Sequence, residues 1–290
     1  MTAQRISRKQ LEQLVEQLSD RDLDVIRQVD EHHFLSTRQI AAFCFADKTT
    51  ATAALRAANR ALAKLTSLKL LVTLARRIGG ARAGSGSYLW TLSGPGARLR
   101  NTQRGGDHVA SRRREIEPSR TFLEHTLAVA EVHLRLHDLA LHTPTRLLGV
   151  QLEPACWRPY LSAGGSTIRL KPDLAVITET GDYEDHWFIE IDMNTEPPSR
   201  VIRKCQQYQD YQHTGTEQHR TGVFPAVIWI VPDHIRRDTL RSRLADEASL
   251  TPGLFTVVIL DALTDLITTG PASVNTQQLQ PDGQKGGHTP

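Results

Sequence analysis

PDLAVITETGDYEDHWFIEID, residues 172–192, is the stretch on which the reading of the fold turns. Two runs of apolar residues flank a polar, glycine-containing segment, so Ile168–Ile177 and His186–Asp192 are expected as strands joined by a turn at Glu179–Asp185. If partner numbers sum to about 363, Asp173 faces Glu190, with β-carbons about 4.5–5.5 Å apart. Asp192 shares the face of Glu190, because strand side chains alternate with a period of two. A slip of one residue would send Asp173 to the opposite face, and the residues alone leave that register open. Two carboxylates this close repel, unless a cation lies between them or one is protonated.

Outward from this hairpin the pattern is that of an α/β domain. A largely apolar helix is expected over Pro118–Leu141 and a strand over Arg146–Leu152. After the hairpin come a helix at Pro197–His213 and the wholly apolar strand Ala226–Val231. A helix at Ile235–Ala248 and a strand at Leu254–Leu260 complete the order α-β-β-β-α-β-α-β, which implies a mixed sheet. Trp157, Trp187 and Trp229 are expected in the core, and His125 and His133 as packed histidines rather than metal ligands.

The front of the chain reads differently. Helices are expected at Leu11–Leu18, Arg21–Phe34, Gln39–Phe45 and from Thr49 or Thr50 to Leu68, followed by strands at Leu70–Ala75 and Tyr88–Leu92. Three helices and a β-hairpin follow the order of a winged helix-turn-helix. On the last helix Leu55, Ala58, Leu62 and Leu65 form one buried stripe. Arg56, Arg60 and Lys64 form a second face, with Asn59 beside it. Such a face suits a major groove, where Arg and Asn read base edges and Lys holds phosphate. Arg76, Arg77 and Arg82 lie in the glycine-rich hairpin tip and are expected on the flanking backbone or minor groove.

Charge supports this division. Residues 1–117 hold 20 Lys/Arg against 11 Asp/Glu, a balance of +9, and the remainder holds 15 against 21, a balance of −6. A basic half joined to an acidic half points to a polyanion as partner of the first. Four segments are therefore expected: a winged-helix domain at 1–93, a basic linker at 94–117, an α/β domain at 118–269 and a disordered tail at 270–290. Cys44, Cys156 and Cys205 are too far apart for a Cys-x-x-Cys site and read as buried free thiols. The polar N-terminus and the absence of a long apolar run favour a cytoplasmic protein without a membrane partner.

Asp173, Glu190 and Asp192 form a hard-oxygen set suited to Mg2+ or Mn2+, which could generate hydroxide for phosphodiester hydrolysis. Lys204 would bring a cation near the scissile phosphate, with Lys171 as the second candidate; Gln207 and Tyr211 would orient the site. The pattern Pro172-Asp173, Glu190-x-Asp192 and a helix with Gln207-x-x-x-Tyr211 resembles the PD-(D/E)XK nuclease superfamily, whose first-helix acid Glu124 resembles. Asp192 stands where that superfamily usually has Lys. Over residues 20–265, including FLEHTLAVA at 122–130 and FIEIDMNTE at 188–196, the chain resembles the replication-relaxation family. The resemblance implies a winged helix followed by a restriction-endonuclease-like α/β domain. It implies a part in plasmid replication, DNA relaxation or mobilisation, with double-stranded DNA and a relaxase or replication initiator as partners. The readings left open are a metal-dependent DNA nuclease, a non-catalytic regulator or assembly factor with a degenerate nuclease fold, and a ligand-sensing repressor.

Overall fold

The computed structural model describes residues 7–74, 88–105, 118–162 and 164–270. The chain is mixed α/β and divides into two compact units, Met1–Leu134 and Arg135–Pro290.

The first unit opens with α1 (Arg8–Val15), α2 (Asp20–His32), the short β1 (Leu35–Ser36), α3 (Thr37–Cys44) and α4 (Ala51–Ser67). Their starts are written locally. Ser7 with Gln10, Ser19 with Asp22 and Ser36 with Gln39 form reciprocal capping boxes, and Thr50 caps α4. β2 (Leu71–Thr73) and β3 (Leu89–Leu92) follow, and β1-β3-β2 make an antiparallel sheet. Val25, Ile26 and Val29 of α2, Ile40 of α3 and Ala58, Leu62 and Leu65 of α4 form the core, with Leu71, Trp90 and Leu92 from the strands. The expected leucine stripe of α4 is therefore buried, with Leu55 at its half-buried margin.

Residues expected as linker form α5 (Gly94–Gln103). Ser93 caps it, Leu99 is buried, and Arg100 and Arg104 reach Asp30 at 3.4 and 2.9 Å. Gly96 is required there, because a β-carbon would collide with the Leu70 carbonyl. The low apolar content of this stretch concealed a helix anchored by charge and one leucine. Residues 106–117 lie outside the described residues, as do 271–290 of the expected tail and the hairpin tip with Arg76, Arg77 and Arg82.

α6 (Arg120–His142) follows, and the division between the units falls inside it. Its early turns belong with the first unit: Ala130 and Leu134 join that core, and Gln39 donates to the Leu127 carbonyl at 2.9 Å. His133 Nδ1 lies 3.1 Å from His32 Nε2, so this histidine is packed, as expected.

The second unit continues with β4 (Arg146–Leu152), β5 (Arg158–Leu161), β6 (Thr167–Leu170), β7 (Leu174–Thr180), β8 (Tyr183–Ile191), α7 (Pro198–His213), α8 (Thr216–Thr221), β9 (Ala226–Val231), α9 (His234–Ala245), β10 (Phe255–Ile259) and α10 (Leu263–Thr269). A 3-10 turn at Leu260–Ala262 precedes α10. Five strands form one mixed sheet in the order β10-β9-β8-β7-β4. β8, β9 and β10 are parallel, and β7 is antiparallel to both β8 and β4. The expected strand 168–177 is broken: β6 leaves at Leu170 to pair with β5, and β7 begins at Leu174. The hairpin turn is tighter than expected, with Gly181 and Asp182 alone between β7 and β8; Gly181 has φ +60°.

One face of the sheet is covered by α7 and α9. Ala175, Phe188, Val227, Trp229 and Val257 pack there against Val201, Cys205, Tyr208, Tyr211 and Leu240. The apolar positions of α7 recur every three or four residues, which presents one stripe to the strands. Trp187 and Trp229 are core residues as expected, whereas Trp157 is only half-buried.

Candidate functional site

The hairpin register is the one that gathers the acids. Leu174 pairs with Ile189, and the Asp173 amide donates to the Ile189 carbonyl at 3.1 Å, so Asp173 lies beside Glu190. All three acids are buried, Glu190 to 2% exposure. A carboxylate at such a position needs partners, and each has at least one.

Glu190 sits on β8 beside Trp229 of β9. Lys204 Nζ, from α7, donates to its Oε2 at 2.5 Å, and Tyr208 Oη donates to its Oε1 at 2.5 Å. Lys204 and Tyr208 are four apart on one helix, so one turn of α7 covers both oxygens. Asp173 Oδ2 accepts from the Ile191 amide at 2.7 Å. Burial raises the Glu190 carboxyl to about 7; Lys204 pulls it down, and Asp173 pushes it up. Burial pulls Lys204 down, but Glu190 and Asp173 outweigh it, and its pKa stands above the usual 10.5. Tyr208 is raised well above 10 by burial and by Glu190.

A pH dependence follows. The folded-state pKa of Glu190 lies above its ordinary 4.5, so its contribution is complete below that value and is lost as pH rises towards about 7. Lys204 does not titrate in this window. The urea midpoint of the parent is expected to fall across this range, and that of Glu190→Gln to change less. Parallel profiles would contradict the assignment.

The other expected site residues have partners of their own. Asp192 is held by Arg236 of α9, whose Nε donates to Oδ2 at 2.6 Å and Nη2 to Oδ1 at 3.3 Å; both side chains are buried. Arg236 Nη2 also donates to the Glu196 carbonyl at 2.8 Å. Tyr211 donates to Glu217 of α8 at 2.6 Å, and this buried acid also meets Arg158 at 3.2 Å and Arg220. Gln207 reaches the Arg169 carbonyl at 3.4 Å. Glu124 belongs to the first unit and pairs with Arg120 at 2.7 Å. Lys171 lies over the Trp157 ring, so Lys204 is the lysine that reaches the acids.

The expected Mg2+ or Mn2+ set of Asp173, Glu190 and Asp192 does not fit as it stands. Both Glu190 oxygens are covered, and Asp192 is neutralised by Arg236. Among the described residues no three His, Cys, Asp or Glu side chains form a group able to hold a metal ion. Sequence reasoning missed Tyr208, although its spacing from Lys204 marked it. It also missed Arg158, Glu217 and Arg236, whose partners lie 44 or more positions away or across an unexpected element.

In the first unit Arg56, Asn59 and Arg60 are exposed along α4. Lys64 departs from that face. Its Nζ donates to Asp22 Oδ2 at 2.6 Å and to the Gln17 carbonyl at 2.8 Å, which fastens α4 to α2.

Fold and site together define a two-unit mixed α/β protein with a buried carboxylate–lysine–tyrosine cluster at the mouth of a β-hairpin. The chain belongs to the replication-relaxation family, whose profile matches residues 26–227, and this gives it a replication-related role. No curated protein and no solved structure matches it. Among the described residues no helix is long and apolar enough to cross a membrane.

Proposed function

We propose that the chain is a DNA-binding accessory protein for replication or mobilisation of a plasmid or conjugative element. The first unit acts as a winged helix-turn-helix, with α4 as its recognition helix. The observation that carries this reading is the face formed by Arg56, Asn59 and Arg60. It is exposed, and neither arginine forms an ion pair with a described carboxylate. The positive balance of residues 1–117 supports the same partner, double-stranded DNA. A relaxase or replication initiator is the protein partner such a role calls for.

The second unit is read as a nuclease-type core that holds DNA without cutting it. Its two central acids are neutralised from within the chain, by Lys204 with Tyr208 and by Arg236. Supercoiled plasmid incubated with the protein and Mg2+ or Mn2+ is expected to remain supercoiled. A metal-dependent nuclease is the second reading, favoured by the convergence of Asp173, Glu190 and Lys204. Nicking by the parent that disappears in both Asp173→Ala and Glu190→Ala would replace the first reading with the second.

A further inference from the structure

Trp157 was expected in the core, but it stands half-buried immediately before β5. Its Nε1 donates to Glu153 Oε1 at 3.1 Å, which fixes the ring. Two cations gather on that ring: the Lys171 ammonium at 4.6 Å from its centroid and the Arg169 guanidinium carbon at 5.5 Å. Both cationic side chains are exposed. Neither forms an ion pair with a described carboxylate, as Arg146, Arg158, Arg200, Lys204 and Arg236 of the same unit do and Arg203, Arg241 and Arg243 do not. An indole face holds cations by its quadrupole and so keeps two like charges close although no described carboxylate forms an ion pair with either.

The patch adjoins the acid–lysine cluster. The Cys156 thiol, next to Trp157, donates to the Pro172 carbonyl at 2.9 Å, and Asp173 is the following residue. Gln207, three residues beyond Lys204, reaches the Arg169 carbonyl. Two unneutralised cations fixed beside a cluster of this kind favour a polyanion over a small neutral ligand.

We infer that Trp157, Arg169 and Lys171 form a clamp for the DNA phosphodiester backbone on the second unit. This rests on the DNA-binding reading and adds to it a second contact, separate from α4. The clamp positions the strand and reads no bases, because phosphate contacts carry no sequence information.

The test is a binding isotherm of the full chain on a labelled random-sequence duplex at several salt concentrations. Releasing two phosphate contacts lowers the slope of log K against log salt by about 1.8. Arg169→Gln with Lys171→Gln is expected to show that loss, additive with any loss in Arg56→Gln/Arg60→Gln. Trp157→Phe is expected to keep most of the slope and Trp157→Ala to lose part of it. DNA is also expected to shield Trp157 from acrylamide, because Trp90, Trp187 and Trp229 are buried. An unchanged slope in the Arg169/Lys171 variant, with the parent still binding, overturns the clamp alone. A parent that binds no duplex overturns the DNA-binding reading together with the clamp.

Discussion

Replacing Arg236 with Ala is expected to lower the stability of the second unit by about 3–5 kcal/mol, because it strands a buried charge. Asp192 is buried, and Arg236 covers both of its oxygens. The Asn194 amide, at 3.0 Å from Oδ1, is the backbone donor that remains. With a urea slope of about 1–3 kcal/mol per molar, the midpoint falls by one molar or more. Intrinsic fluorescence follows the transition, since Trp187 and Trp229 are buried in this unit. A second measurement separates lost pairing from lost packing. Asp192→Asn combined with Arg236→Ala is expected to recover part of the loss, because no carboxylate is then left buried and unpaired. A single variant within about 0.5 kcal/mol of the parent, as for an ordinary surface change, would show that the pair does not form.

The second large effect belongs to the proposed recognition helix. Arg56→Gln with Arg60→Gln is expected to weaken binding to the cognate duplex by about 2–6 kcal/mol, since a base-reading arginine contributes about 1–3 kcal/mol. Affinity then falls about thirtyfold or more. Folding is expected to be unaffected, because both side chains are exposed and outside the core of the unit. Lys64→Gln behaves differently on this account. It acts first on the attachment of α4 to α2, through Asp22. Equal DNA affinity in the Arg56/Arg60 variant and the parent would remove α4 from the interface.

The comparison of sequence with structure is uneven for physical reasons. Period and capping are local, so α2, α3, α4 and the strand Ala226–Val231 could be read within a few positions of their bounds. The two strands of the acid hairpin were legible for the same reason, but their register was not, because the long turn expected at Glu179–Asp185 left a slip of one residue open. The break at Lys171–Asp173 was not legible, because β6 turns away to a partner strand that has no apolar alternation of its own. α5 escaped because charge pairing with Asp30 does for it what an apolar stripe does for other helices. At the site, residue types were readable and pairings were not. Asp192 and Glu190 are two residues apart on one strand, yet their cations come from α9 and α7. Nothing in their spacing tells which acid receives which base.

The three thiols carry a chemical consequence. Cys44, Cys156 and Cys205 are free and buried, and burial raises all three, Cys156 and Cys205 to about 12. The thiolate is the form that attacks alkylating and oxidising reagents, and the native chain presents almost none of it at neutral pH. The folded protein is thus expected to resist alkylation and oxidation at cysteine. Each sulfur becomes reactive only when its surroundings open, so Cys44 marks the opening of the first unit, and Cys156 and Cys205 that of the second.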